Sequence, residues 1–378
     1  MTQPIYLDYN ATTPIDTEVA AEMKYIIDAV YGNPSSAYSI GRTAKEIVDK
    51  ARLQVANLIN ARPSEIVFTS CATESNNLAI LGALKAQSGK HIITSAIEHP
   101  AVIEVCRQLE TRGYQVSYVP VDQYGRVNPA DVEKAVRHDT ALITIMHANN
   151  ETGSIQPIDE IANIARKHGV LFHTDAAQSL GKIKVDVAQS SIDLLTIAGH
   201  KIYAPKGIGA LYIKNGVKIE KVMFGASQEK GLRPGTENVI HIAALGKACE
   251  VAQRDFDKNT ANMRHTRDRL FDGLQKFFPQ RVTVNANLQH CLPNTLSVAL
   301  AGVDAHTLAS LIGNKVLVST GSACHAGSVN ISPVLKAMKV NAQRAASTLR
   351  ITTGKHTSEM DVDHALDLIQ NTVKQLDK

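Results

Sequence analysis

Asp193-Leu194-Leu195-Thr196-Ile197-Ala198-Gly199-His200-Lys201 runs straight into Ile202-Tyr203-Ala204-Pro205-Lys206-Gly207-Ile208-Gly209-Ala210-Leu211-Tyr212, and this stretch decides the fold. Its first part is a short apolar run that reads as a buried strand. The run stops at Gly199 with one lysine just past its end. A second β-rich run, Gly209 to Ile213, then carries the chain away and should pair antiparallel. A lone lysine at a strand end is more often a surface residue. Burial, however, lowers a lysine's pKa, and a neutral amine can form a Schiff base with an aldehyde. The upstream segment Gly169-Val-Leu-Phe-His-Thr-Asp175-Ala-Ala-Gln178 favours that use, being another apolar strand that ends in a carboxylate. Pyridoxal phosphate needs an acid and a lysine side by side. The lysine holds its aldehyde, and the acid keeps the pyridine nitrogen protonated so that the ring can act as an electron sink.

Outward from this pair, strands and helices alternate. Glu65 to Thr69, His91 to Thr94, Val116 to Val119, Leu142 to Met146 and Val170 to His173 read as strands. Thr73 to Gln87, Ala101 to Arg112, Ala130 to Val136 and Ile158 to His168 read as the helices between them. This order predicts an α/β fold with a mostly parallel mixed sheet covered on both faces. A helix with apolar Ile47, Ala51, Val55 and Ile59 precedes it from Thr43. After Thr236 one long helix is expected through Ile242 and past Met263 to Leu274. Beyond it the pattern turns α+β, with strands at Val282 to Val284, Thr295 to Leu300 and Val316 to Ser319. Helices at Ala305 to Leu311 and Asp361 to Leu376 go with them. A large cofactor-binding domain over 17–256 and a small α+β domain made of 1–16 and 257–378 follow from this change.

Composition narrows the function. The 378 residues suffice for two domains, with 44% hydrophobic residues and no tryptophan. The net charge of +4, from 40 basic and 36 acidic residues spread along the chain, gives no stripe for nucleic acid. No apolar stretch approaches the roughly 18 residues of a membrane span, and the start lacks the features of a signal peptide. Five scattered cysteines without C-x-x-C spacing argue against a disulfide framework or a metal site. A cytoplasmic, reducing setting is expected.

In open α/β sheets ligands bind beyond the carboxyl ends of the strands. The residues there are Thr69 to Asn77, Glu98-His99-Pro100, His147 to Gly153, Asp175 to Gln178 and Gly199-His200-Lys201. Ala72-Thr73-Glu74 opens a helix, whose free N–H groups suit a phosphate as well as an ordinary cap. His99 could stack on a cofactor ring and move protons, or simply cap its helix. A second signal is Val316-Leu-Val-Ser-Thr-Gly-Ser-Ala-Cys324-His-Ala-Gly-Ser, where small neighbours leave a thiol accessible on a mobile loop. Cys106 and Cys249, on apolar helices, read as core. Arg350, on an apparent strand, could clamp a carboxylate bidentately or form an edge salt bridge.

Together the motifs resemble the pyridoxal-phosphate-dependent cysteine desulfurases of the NifS/IscS type, within fold type I of the aminotransferases. The likeness runs from Tyr6-Leu-Asp-Tyr-Asn-Ala-Thr-Thr-Pro14 to Leu349-Arg350. It includes Gly32-Asn33-Pro34, Thr73-Glu74-Ser75-Asn76-Asn77, Arg233-Pro234-Gly235-Thr236 and Gly321-Ser322-Ala323-Cys324. The resemblance implies that Lys201 holds the cofactor aldehyde, Asp175 pairs with the pyridinium and His99 stacks on the ring. Asn150 and Gln178 would flank the ring hydroxyl. Ala72, Thr73 and His200 would hold the phosphate, with Thr236 reaching in from the second subunit of a homodimer. Asn33 and Arg350 would take the carboxylate of L-cysteine. Cys324 would accept its sulfur as a persulfide, leaving alanine, for delivery to an acceptor protein such as an iron–sulfur scaffold. Three positions depart from the pattern: Ala198 stands where a serine commonly precedes Gly-His-Lys, Cys71 replaces a glycine, and Gly225-Ala226-Ser227-Gln228-Glu229 replaces Gly-Gly-Gly-Gln-Glu. The missing serine predicts weaker cofactor retention. A selenocysteine lyase on the same scaffold, an aminotransferase or lyase without a cysteine nucleophile, and a non-enzymatic metal or scaffold protein are the alternatives.

Overall fold

A computed structural model describes residues 4–325 and 328–377, the side chains of 322–325 and 328–330 excepted. Seven strands form the main sheet in the order Ile66–Thr69, Gly209–Ile213, Leu194–Ala198, Leu171–Asp175, Thr140–Thr144, His91–Ser95, Gln115–Val119. The last five run parallel to one another, and Gly209–Ile213 is antiparallel to both neighbours, as its sequence predicts.

The inner strands are apolar without alternation because both faces are covered. Leu142 and Leu194 face helices Ala72–Ala86 and Pro100–Glu110 in one apolar cluster. Their neighbours Ile143 and Leu195 face helices Ser39–Leu58, Ile158–Lys167 and Val239–Arg254 in the other. Gly199 ends the Leu194–Ala198 strand where a Cβ would lie 2.7 Å from Ile208 Cγ2 and 2.9 Å from its carbonyl oxygen, so only glycine fits the turn.

The long helix expected after Thr236 is two helices, Val239–Arg254 and Phe256–Phe277, separated at Asp255 (φ −101°, ψ 16°). They pack on different partners. The first lies on helices Thr17–Ala29 and Ser39–Leu58, and the second on Glu359–Leu376. A straight helix could not serve both. Asp255 is held at the break by its neighbour Arg254, whose Nε and guanidinium nitrogen donate to the carboxylate at 2.9 and 2.7 Å.

A second sheet, antiparallel throughout, has the order Ser319–Thr320, Thr348–Thr352, Thr295–Leu300, Val282–Val284. It builds its own apolar cluster with Leu7, Leu270, Val362 and Ile369. The strand expected over Val316 to Ser319 divides between two partners. Val316–Leu317 pairs with the N-terminal arm at Ile5–Tyr6, and Ser319–Thr320 pairs with Thr348–Thr352. Ser322–His325 and Ser328–Ile331 pair antiparallel where the sequence suggests a loop. Among the described residues no helix is long and apolar enough to cross a membrane.

Candidate active site

The carboxyl ends of the main-sheet strands open on one cleft of about 430 Å³, within the range of small-molecule and cofactor sites. Ala72, Thr73, His99, Asn150, Asp175, Gln178, His200, Lys201 and Arg350 all line it. Nine residues from six separate stretches of sequence therefore meet in one place.

Lys201 arrives on the turn after the Leu194–Ala198 strand. Its amine donates to the carbonyl oxygens of Asn10 at 2.5 Å and Ala11 at 2.7 Å, both from the N-terminal arm. Burial, helped by the charge of Arg350 and opposed by Asp8 and Asp175, pulls its pKa down to about 8. The unfolded chain holds this proton more tightly, so the lysine opposes folding below pH 8 and stops doing so as pH rises towards 10.5. In cofactor-free protein, Lys201→Met is therefore expected to be about 1–3 kcal/mol more stable than wild type at pH 7. That advantage should shrink at higher pH, as denaturant melts at a series of pH values will show.

Asp175, at the end of the adjacent strand, is buried. Its Oδ2 accepts from Asn76 Nδ2 at 2.7 Å and its Oδ1 from the Ala177 N–H at 2.9 Å. Asn76 lies one turn into helix Ala72–Ala86, so strand and helix together aim the carboxylate. His99 caps helix Pro100–Glu110, its Nδ1 accepting from the Ala101 N–H at 3.1 Å. That bond puts the proton of the neutral ring on Nε2. Burial lowers the imidazole's pKa, with Lys201 adding to the effect and Asp175 opposing it. Glu98, beside it, is pushed up to about 8 by burial. It accepts from Ser95 Oγ at 2.5 Å and the Met146 N–H at 2.9 Å, tying two strand ends together.

Helix Ala72–Ala86 begins at Cys71 with no side-chain cap, leaving its first N–H groups without the usual side-chain acceptor. Gly209 lets the backbones close here: a Cβ would sit 2.8 Å from the Cys71 carbonyl carbon and 3.1 Å from the Ala72 nitrogen. An uncapped helix terminus lying in a cleft suits a phosphate. His200 Nδ1 pairs with Thr12 Oγ1 at 3.1 Å, and burial holds its pKa at about 4.

Arg350 donates to Asp8 Oδ1 at 2.8 Å, Ser319 Oγ at 2.9 Å and the Asn150 carbonyl at 3.3 Å. Its Nε is buried with no hydrogen-bond partner among the described residues, and the side chain lines the cleft.

Three expected residues stand apart from this set. Asn33 is exposed, its Oδ1 accepting from the Ser35 N–H at 2.9 Å. Thr236 is exposed and does not line the cleft of its own chain. The side chain of Cys324, and with it the expected mobility of its loop, lies outside the described residues. Its hairpin follows Ser319–Thr320, a strand in register with Arg350. Cys106, Cys249 and Cys291 are buried, and burial raises the pKa of each thiol. Among the described cysteines only Cys71 lines the cleft. No cluster of metal-ligating side chains occurs among the described residues.

Sequence reasoning missed Asn10 and Lys182. Asn10 stands in a motif that carries the resemblance, yet nothing local reveals its partners. Its amide donates to the Asn150 carbonyl at 3.2 Å and to Thr295 Oγ1 at 2.9 Å, far along the chain.

The aminotransferase class-V family model matches residues 5–365. The chain is 44% identical to the cysteine desulfurase IscS of Dictyoglomus turgidum over all of its own length and 96% of that protein. Among solved structures it is similar to a NifS-like protein, with a TM-score of 0.92, 37% identity, and coverage of 98% of this chain and 100% of that one. It is also similar to SspA in complex with cysteine, with a TM-score of 0.81, 36% identity, and coverage of 93% and 99%. Fold, site and sequence agree: the chain belongs to the aminotransferase class-V family and, within it, to the cysteine desulfurases of the IscS/NifS type.

Proposed function

We propose that the chain is an L-cysteine desulfurase that holds pyridoxal 5′-phosphate in the cleft around Lys201 and passes the sulfur of L-cysteine to Cys324. The observation that carries this is the meeting of a lysine of lowered pKa and a buried, doubly hydrogen-bonded carboxylate in one cleft. Enzymes of the family work with this cofactor, and the residues present suit it. The amine of Lys201 is available for an aldehyde. Asp175 is a fixed acceptor for a pyridinium. The open terminus at Ala72 and Thr73, with His200, suits a phosphate, while Asn150 and Gln178 lie where a ring hydroxyl could be flanked. When bound, the cofactor supplies an electron sink.

The chain's own groups do the rest. Arg350, a cation lining the cleft, binds and orients the carboxylate of L-cysteine. Lys201 Nζ, close to half neutral at pH 8, takes and returns a proton, and His99 Nε2 is a second proton carrier. The C–S bond of L-cysteine breaks and the sulfur joins the thiol of Cys324. The products are L-alanine and a persulfide on Cys324, which an acceptor protein such as an iron–sulfur scaffold would discharge. Asn33 belongs to this proposal as a second group on the substrate carboxylate beside Arg350, and Thr236 as a residue of a homodimer that serves the neighbouring cleft. The separate sheets and apolar clusters support a large domain of 17–256 and a small one of 1–16 with 257–378.

Incubation with L-cysteine, pyridoxal phosphate and a reductant should release alanine and sulfide in equal amounts. Negligible sulfide from L-cysteine, with alanine formed readily from L-selenocysteine, would replace this function by a selenocysteine lyase. One departure from the family is testable at the same site. Ala198 is buried and lines the cleft without a hydroxyl. Ala198→Ser restores one hydrogen bond to a charged group and is expected to slow cofactor loss on dialysis by about 10- to 100-fold.

A further inference from the structure

Lys182 is a second lysine at this site, more deeply buried than Lys201, at 4% exposure. It has no carboxylate partner among the described residues, and its charged neighbours Lys201 and Arg350 are both cations. On its other side lie Tyr9 and Tyr203, with Asp16 and Lys355 already paired to each other. A buried ammonium in such company is costly. What the amine does have is two acceptors, Gln178 Oε1 at 2.9 Å and Asn10 Oδ1 at 3.2 Å. Two acceptors match the two N–H bonds of a neutral amine. In keeping with that, burial and the two cations bring its pKa down to about 7.

The two bonds have unequal consequences. Asn10 Oδ1 is also held by Asn294 Nδ2 at 3.0 Å, so Asn10 keeps its orientation without Lys182. Gln178 Oε1 has no other donor among the described residues, and Gln178 Nε2 donates to the Asn10 carbonyl at 3.0 Å. That carbonyl also receives the amine of Lys201. An amide whose two ends look alike in shape but opposite in hydrogen bonding is oriented only by what it touches. The Asn10 carbonyl receives the Nε2 end and the Lys182 amine supplies the Oε1 end, so Lys182 is the second of two contacts that fix the amide's orientation and the one that holds Oε1.

We propose that Lys182 is a positioning residue: its buried amine orients the Gln178 amide, and through it the hydrogen-bonded set around Lys201 that faces the cofactor. The proposal rests on the cofactor reading of the cleft. Its test is a double-mutant cycle on holoenzyme, read by pH titration of the visible absorption band of bound pyridoxal phosphate rather than by turnover. Lys182→Met is expected to raise the midpoint by about one pH unit, the scale of one lost hydrogen bond at a charged site. Gln178→Leu should raise it similarly, and the double variant should match Gln178→Leu alone, because Lys182 then has nothing to orient. An unmoved midpoint in Lys182→Met, or shifts that add in the double variant, would overturn the proposal. Should Lys182→Met not fold, Lys182→Leu, which likewise lacks a donor, carries the same cycle, and the same two results support or overturn the proposal. A wild-type protein that takes up pyridoxal phosphate without a visible band overturns the cofactor reading and this inference together. A normal wild-type band with insensitive variants overturns this inference alone.

Discussion

Cys324→Ala is expected to abolish sulfide and alanine release from L-cysteine while the purified protein keeps its cofactor colour. The groups that suit the cofactor are Lys201, Asp175 and the terminus at Ala72, all remote in sequence from the paired strands Ser322–His325 and Ser328–Ile331. Binding and sulfur transfer should therefore separate cleanly in this variant. The loss should be about a thousandfold or more, as when an enzyme loses a reacting group outright. The measurement is a paired assay of alanine and sulfide with an absorbance scan of the same sample. Retained turnover would mean that another thiol takes the sulfur, and Cys71 is the described cysteine in the cleft. Loss of colour together with activity would mean that the hairpin also shapes the cofactor site.

Lys201→Ala should cost activity for a different reason and with a different signature. Without the amine there is no covalent anchor for the aldehyde and no proton carrier at that position. Loss of a positioned proton carrier alone is worth about 10²- to 10⁴-fold. Asp175, the helix terminus and His200 remain, so cofactor still enters the cleft but leaves on dialysis, and its absorption maximum differs from wild type. Borohydride reduction then distinguishes the two proteins. It should fix the cofactor irreversibly to wild type and not to the variant. Cofactor fixed to the variant would place the linkage on another lysine, and buried Lys182 would be the first to map.

The strand ends were legible because burial on both faces writes uninterrupted apolar runs into the sequence, and the polar residue after each run is then conspicuous. Asp175 and Lys201 stand out in this way. Other features depend on contacts that no local pattern records. Helix Thr17–Ala29 buries only Val19 and Ile26 while Tyr25 and Ile27 point outward, so its apolar residues do not mark one face. The break at Asp255 is silent because helical spacing continues across it, and only the change of packing partner ends the first helix. Asn10 is the sharpest case. Its bonds reach Thr295 and Thr352, hundreds of residues away, so its part in holding Lys201 emerges only from the folded chain.

Transfer of sulfur from L-cysteine to Cys324 is open to direct test in a single turnover without reductant, with alanine counted and the Cys324 peptide weighed by mass spectrometry. One alanine per cleft and a mass gain of one sulfur atom on that peptide is the predicted result. Alanine formed with the extra sulfur on a different cysteine peptide, and the Cys324 peptide unchanged, would contradict it.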